Sequence, residues 1–236
     1  MGRFELHTNF LFGRGVRAVL LTAVMSWSTA SAQTNFFDIV LNYNDTPTAS
    51  QAAAFSAAES TWESILLGYQ DTFGFNPTVD ISINLDNIVG PGGTLGQAGP
   101  TTGWIGPNYV YTAGGNMTFD TSDLGNLSAA ALDALILHEM GHVLGIGTLW
   151  SSSAVGFPGR QELYINGSGQ YTGAFGVAAY NAEFNQNSAF VPVELGGGTG
   201  TANAHWNEVD GGAGNTGLVS NISGQDMAFE LMTGWL

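Results

Sequence analysis

The sequence predicts an α+β fold, and three observations support that prediction. Two segments, residues 36–43 and 79–85, alternate apolar and polar residues with the period of a β-strand. Two longer segments, one after Thr48 and one ending at Gly145, repeat apolar residues at helical spacing. Beyond Gly145 the chain becomes rich in Ser, Gly, Asn and Ala, without a second regular pattern. We therefore expect a twisted mixed sheet, a backing helix and a second helix above a cleft, followed by a loop-rich C-terminal lobe.

The first part of the chain is typical of strand, helix and strand. Thr48 with Gln51 three residues later resembles a capping box, which predicts that a helix begins there. The apolar positions that follow continue to about residue 70, and we expect them to be core. Residues 79–85 alternate strictly, which indicates a strand with one buried face.

The next segment leaves an alternative open. Residues 94–104 contain glycine and proline, so they fit an irregular edge strand and an ordinary surface loop about equally well. Residues 116–120 predict a short strand, and Ser128 is the expected N-cap of the second helix. Asp120 and Asp123 could bind calcium, or they could simply cap a helix start.

Two short elements are predicted beyond Gly145. Residues 175–184 are a helix candidate, and residues 190–194 are a strand candidate. We expect both to belong to the loop-rich lobe of the same domain.

The N-terminus is typical of a secretory signal peptide. Three arginines precede the apolar run 18–25, and Ala30-Ser31-Ala32 gives a small-x-small cleavage pattern. We predict a signal peptide over residues 1–32, cleaved after Ala32, and a secreted or periplasmic protein. An uncleaved membrane anchor is the alternative, although the run is short for a membrane span.

Removal of this leader would make the charge strongly negative. Residues 33–236 retain 18 acidic residues and one arginine, a formal net charge of −17. Such a surface repels nucleic acid and anionic membranes, which argues against those partners. The chain has no cysteine, so it forms no disulfide and can have no thiolate switch or cysteine ligand.

One stretch of the sequence contains candidate metal-binding and catalytic residues. Residues 138–145 form the pattern H-E-x-x-H-x-x-G. On a helix, His138 and His142 lie on one face and can bind the same zinc ion, whereas Glu139 points elsewhere and suits a general base. Gly145 can adopt a positive φ and end the helix. The alternative is a buried helix with two ordinary core histidines.

The histidine count favours the metal site. The chain has four histidines, and His7 lies in the predicted leader. The remaining three are His138, His142 and His205, the last of them 63 positions after His142. Three histidines and a water molecule form the open arrangement of a catalytic zinc site.

These residues carry a resemblance to a known family. His205 is followed by Trp206, and Met232 lies in Glu-Leu-Met-Thr-Gly. With the histidine motif, they make residues 94–236 similar to the metzincin zinc peptidases, specifically the leishmanolysin-like branch found among bacterial secreted proteins. That branch has a long insertion before its third histidine. Most other metzincins have the third histidine at the position of Thr148.

The resemblance implies a fold and an activity. Residues 33–236 would form a metzincin-like catalytic domain, C-terminally incomplete by comparison with the family, with His138, His142 and His205 as ligands of one zinc ion. Glu139 would be the general base for water that attacks a peptide bond, and Met232 would pack beneath the histidines. We expect a monomeric endopeptidase acting on protein or peptide substrates, with a calcium requirement possible but unsupported. A secreted protein that binds zinc without turnover is the alternative.

Overall fold

The computed structural model describes residues 37–71, 78–209 and 214–234, so the predicted signal peptide lies outside the described residues. In the described part, no helix combines the length and the apolar character needed to cross a membrane.

A four-stranded mixed sheet organises the first part of the chain. Its strands are β1 (Asp38–Tyr43), β2 (Thr78–Asp86), β3 (Gly96–Ile105) and β4 (Val110–Asp120). In the order β1-β2-β4-β3, the first three are parallel and β3 runs antiparallel to β4 at one edge. The expected mixed sheet is therefore present, and residues 94–104 belong mainly to an edge strand rather than a surface loop.

Four helices and one 3₁₀ turn complete the regular structure of the described residues. They are α1 (Ala49–Ile65), α2 (Thr121–Leu124), α3 (Ala129–Val143), α4 (Ala174–Glu183) and the 3₁₀ turn Met227–Phe229. The predicted capping box is formed, because Thr48 and Gln51 each accept the other's backbone amide. Ser128 caps α3 as expected by accepting the amide of Ala131.

Some predicted boundaries were wrong, and backbone geometry explains two of them. Helix α1 ends at Ile65 rather than near residue 70, because Leu66 is already extended. Strand β4 begins six residues before the predicted segment 116–120. Gly114 and Gly115 interrupt the apolar alternation in this segment. A Cβ on Gly114 would lie 2.7 Å from a carbonyl oxygen of β2, and a Cβ on Gly115 would lie 2.6 Å from a side chain of α3. The glycines that obscure the pattern thus permit close packing.

The two aspartates before α3 hold a loop in place. Asp120 is fully buried and accepts the backbone amides of residues 88–90 at 2.9–3.1 Å, while Asp123 accepts the amide of Gly92. These hydrogen bonds, the one from Val89 foremost, lower the pKa of Asp120 to about 2. Asp120 also caps α2. Asp120 therefore caps a helix, as one alternative expected, and both carboxylates fix the loop leading into β3.

Two apolar clusters meet around α3. The first packs the sheet against α1 and α3, and the second fills the lobe that follows α3. Ile146 and Leu231 contact both clusters. The lobe contains a two-stranded pair, β5 (Gln170–Tyr171) and β6 (Val191–Pro192), so the strand predicted over residues 190–194 is only two residues long. The described chain thus places α3 between a regular sheet and an irregular lobe.

Candidate metal centre

The structure brings the three predicted histidines together. His138 and His142 lie one turn apart on α3, and His205 comes from the irregular lobe. Their Nε2 atoms are 3.0–3.1 Å apart in every pair, and all three side chains are buried. Because histidine nitrogens are good ligands for divalent transition metals, this group could hold a metal ion.

The other nitrogen of each ring faces a backbone carbonyl. Nδ1 lies 2.6 Å from the oxygen of Leu231 in His138, 2.9 Å from that of Ile146 in His142, and 3.0 Å from that of Thr201 in His205. A carbonyl only accepts, so in a neutral imidazole the single proton belongs on Nδ1. The three Nε2 atoms then carry lone pairs that point at one another.

The surroundings keep the three rings uncharged. Burial, followed by the neighbouring imidazoles His142 and His205, lowers the pKa of His138 well below its usual value. Burial likewise lowers the pKa of His142 to about 4 and lowers the pKa of His205. Three converging, unprotonated nitrogens fit a metal ion, since a cation would turn their mutual repulsion into attraction.

The end of α3 positions His142. Gly145 has φ 107°, as predicted for a residue that ends the helix. The chain turns there, so that the Ile146 amide reaches back to the carbonyl of Gly141 while the Ile146 carbonyl faces the ring of His142. Thr148 donates its hydroxyl hydrogen to the His142 carbonyl at 2.6 Å. The turn therefore fixes the second histidine from two directions.

A close backbone contact positions His205. Gly147 has φ 77°, and a Cβ placed on it would overlap the carbonyl oxygen of Ala204, the residue just before His205. The sequence motif did not single out Gly147. The available signal was a second glycine shortly after the one that ends the helix, which is a common sign of close backbone approach.

Glu139 lies beside the histidines and against the edge strand. It is 6% exposed, and a Cβ on Gly96 of β3 would lie 2.8 Å from its Oε1. Burial raises the pKa of Glu139 to about 8. The predicted general base is thus near His138 along the helix and turned toward β3.

Met232 packs against α3. Its side chain is 4% exposed, and a Cβ on Gly141 would lie 2.7 Å from its sulfur. The Met232 carbonyl accepts the amide of Trp206, next to His205. Met232 therefore joins the helix that carries two of the histidines to the segment that carries the third.

Comparison with known proteins adds no relative to this description. No protein-family model matches the chain, and no curated protein matches it.

Gly147→Ala should weaken metal binding because the new methyl group would displace the segment that carries His205. Gly156→Ala is the matched control, since Gly156 also has a positive φ but open space around its Cβ position. Each variant should lose about 1–2 kcal/mol of stability from backbone strain. We expect only Gly147→Ala to lower metal affinity, measured by competition with a chromogenic chelator. Equal affinities in the two variants would contradict the proposed contact.

Met232→Leu should keep its metal and lose less than about 1.5 kcal/mol of stability, because the two side chains have similar volumes. Met232→Gln has a similar length but would bury an amide, so we expect a larger loss, about 1–3 kcal/mol. Metal content and denaturant unfolding measure the two effects. Loss of metal from a folded Met232→Leu protein would show that the sulfur has a role beyond packing.

Proposed function

We propose that this protein is a secreted zinc endopeptidase of the metzincin type, similar to the leishmanolysin-like branch. The observation that carries the proposal is the convergence of three bare Nε2 atoms beside a buried glutamate that faces an edge strand. The proposal includes export through the predicted signal peptide and action of a monomer on protein or peptide substrates.

Zinc is the metal that this set of donors supports best. The donors are three neutral imidazoles without a thiolate, and catalytic zinc sites commonly combine three protein ligands with a water. Nitrogens held about 2.0–2.1 Å from one ion at tetrahedral angles would be roughly 3.3 Å apart, close to the observed spacing. When bound, zinc supplies a Lewis acid that polarises a carbonyl group and lowers the pKa of a water molecule.

Glu139 would act as the general base and then as the general acid. Glu139 follows His138 directly along α3, and its carboxylate lies against Gly96 of β3. From this position it would accept a proton from the attacking water and later donate a proton to the leaving amine. The burial of Glu139 excludes bulk water, which strengthens its interaction with a developing charge.

Strand β3 would hold the substrate in an extended conformation. It pairs with β4 along one side, while the structure describes no strand paired with its other side. An extended peptide can add to such an edge through backbone hydrogen bonds. Because β3 also contacts α3 through Gly96 and Glu139, a peptide on this edge would pass near the catalytic carboxylate.

Replacement of Glu139 separates binding from chemistry. Glu139→Gln should retain one equivalent of zinc but lose about 10²–10⁴-fold in turnover, since an amide cannot accept the proton. His142→Ala should lose both zinc and turnover, because a ligand is gone. Zinc content by elemental analysis and digestion of a fluorogenic protein substrate measure the two properties.

Two outcomes would reject parts of the proposal. Near wild-type turnover in Glu139→Gln would exclude Glu139 as the base. A wild-type protein that binds zinc stoichiometrically but digests none of a broad set of proteins and peptides would support the alternative, a zinc-binding protein without turnover.

Gly96→Ala tests the contact between β3 and Glu139. The added methyl group would collide with the carboxylate, and a displacement of about 1 Å can cost about 100-fold in rate. Gly99→Ala is the matched control on the same strand, because its Cβ would meet only Thr148 at an ordinary 4.0 Å. We expect Gly96→Ala to lower kcat while zinc content stays normal. Equal kcat in the two variants would show that β3 does not position Glu139.

A further inference from the structure

A cavity lies against α3 and against the segments that follow it in the lobe. Its volume is about 460 Å³, within the range of small-molecule binding sites. Trp62 and Met232, which pack against Gly141 of α3, line the cavity. None of the three histidines lines it, and neither does Glu139. The cavity therefore includes none of the three histidines and not Glu139, although it adjoins Ile146 and Leu231, whose carbonyls face His142 and His138.

The walls of the cavity are largely aromatic. Nine aromatic residues line it: Phe37, Trp62, Tyr69, Tyr109, Tyr111, Trp150, Tyr171, Phe175 and Trp206. Several of their rings pack on one another, with Trp150 and Trp206 stacked at a centroid distance of 4.5 Å and Trp150 and Tyr171 at 5.0 Å. Such mutual contacts hold the rings in place, so the walls are preformed. Aromatic faces carry negative electrostatic potential and attract organic cations.

Glu230 is the one charged residue among the described residues that line this cavity. It is 7% exposed, and no hydrogen bond to its carboxylate is described. Burial, followed by the nearby Glu183, raises the pKa of Glu230 to about 8. Glu183 itself accepts a hydrogen bond from Ser220 at 2.6 Å. A buried carboxylate without a partner is costly, and a cation is the partner that would compensate it.

We propose that this cavity binds a small organic cation with an apolar body, such as an arylalkyl ammonium ion. The ammonium group pairs with Glu230, and the apolar body lies between the aromatic rings. The net negative charge of the chain adds a general attraction for cations and a repulsion for anions of the same shape. This proposal does not depend on peptidase activity, because neither the three histidines nor Glu139 line the cavity.

Three probes of one shape test the charge requirement. They are 4-phenylbutylammonium, 4-phenylbutanol and 4-phenylbutanoate, titrated at neutral pH by calorimetry and by tryptophan fluorescence, since Trp62, Trp150 and Trp206 line the cavity. We expect saturable binding of the ammonium ion about tenfold tighter than that of the alcohol, with the carboxylate weakest. No saturable binding, or an ammonium ion bound no tighter than the alcohol, would overturn the proposal.

Two matched variants locate the binding. Glu230→Gln should lower the affinity for the ammonium ion about tenfold and change the affinity for the alcohol by no more than about threefold, since only the charge pair is lost. Asp133→Asn removes the same charge from an exposed position of α3 and should change neither affinity. Normal alcohol binding by Glu230→Gln also shows that the variant is folded. Equal ammonium affinity in the two variants would place the ion elsewhere, at the metal centre or on the acidic surface, and reject this site.

Discussion

The convergence of three unprotonated imidazole nitrogens is the interaction on which the rest of the site depends. Nε2 atoms 3.0–3.1 Å apart, each with its lone pair turned inward, repel one another unless a cation lies between them. The backbone carbonyls of Leu231, Ile146 and Thr201 impose this arrangement, because each accepts a hydrogen bond from the other ring nitrogen, Nδ1. They belong to three separate segments, so the histidine geometry requires the helix, its terminal turn and the lobe to be assembled together.

Glycines make that assembly possible by allowing contacts that any side chain would block. Gly141 admits the sulfur of Met232, Gly147 admits the backbone before His205, and Gly96 admits the carboxylate of Glu139. Each contact joins α3 or its terminal turn to a different part of the molecule. Glycines at these positions therefore determine the packing around α3 as much as apolar side chains do.

Local patterns in the sequence predicted much of α1, of α3 and of the candidate metal site. The four-residue spacing predicted that His138 and His142 share a face, and the caps predicted where α1 and α3 begin, because both effects act within a few residues. His205 was chosen because few histidines were left and because the His205-Trp206 pair resembles the family, since no local rule describes how a long irregular segment returns to a helix. The cavity and the role of Gly147 depend on contacts between distant segments, which periodicity does not encode.

Two buried glutamates, one on α3 and one in the lobe, pose the same electrostatic problem. Burial raises the pKa of both Glu139 and Glu230 to about 8, which reflects the cost of an ionised carboxylate away from water. Glu139 lies beside a group that could hold a cation, so a bound metal would offset that cost. Glu230 has no such neighbour among the described residues, and the only charged group acting on it is the like charge of Glu183. Its aromatic surroundings favour a cation as well. The same argument that makes the three histidines a candidate metal site therefore supports an organic cation in the cavity.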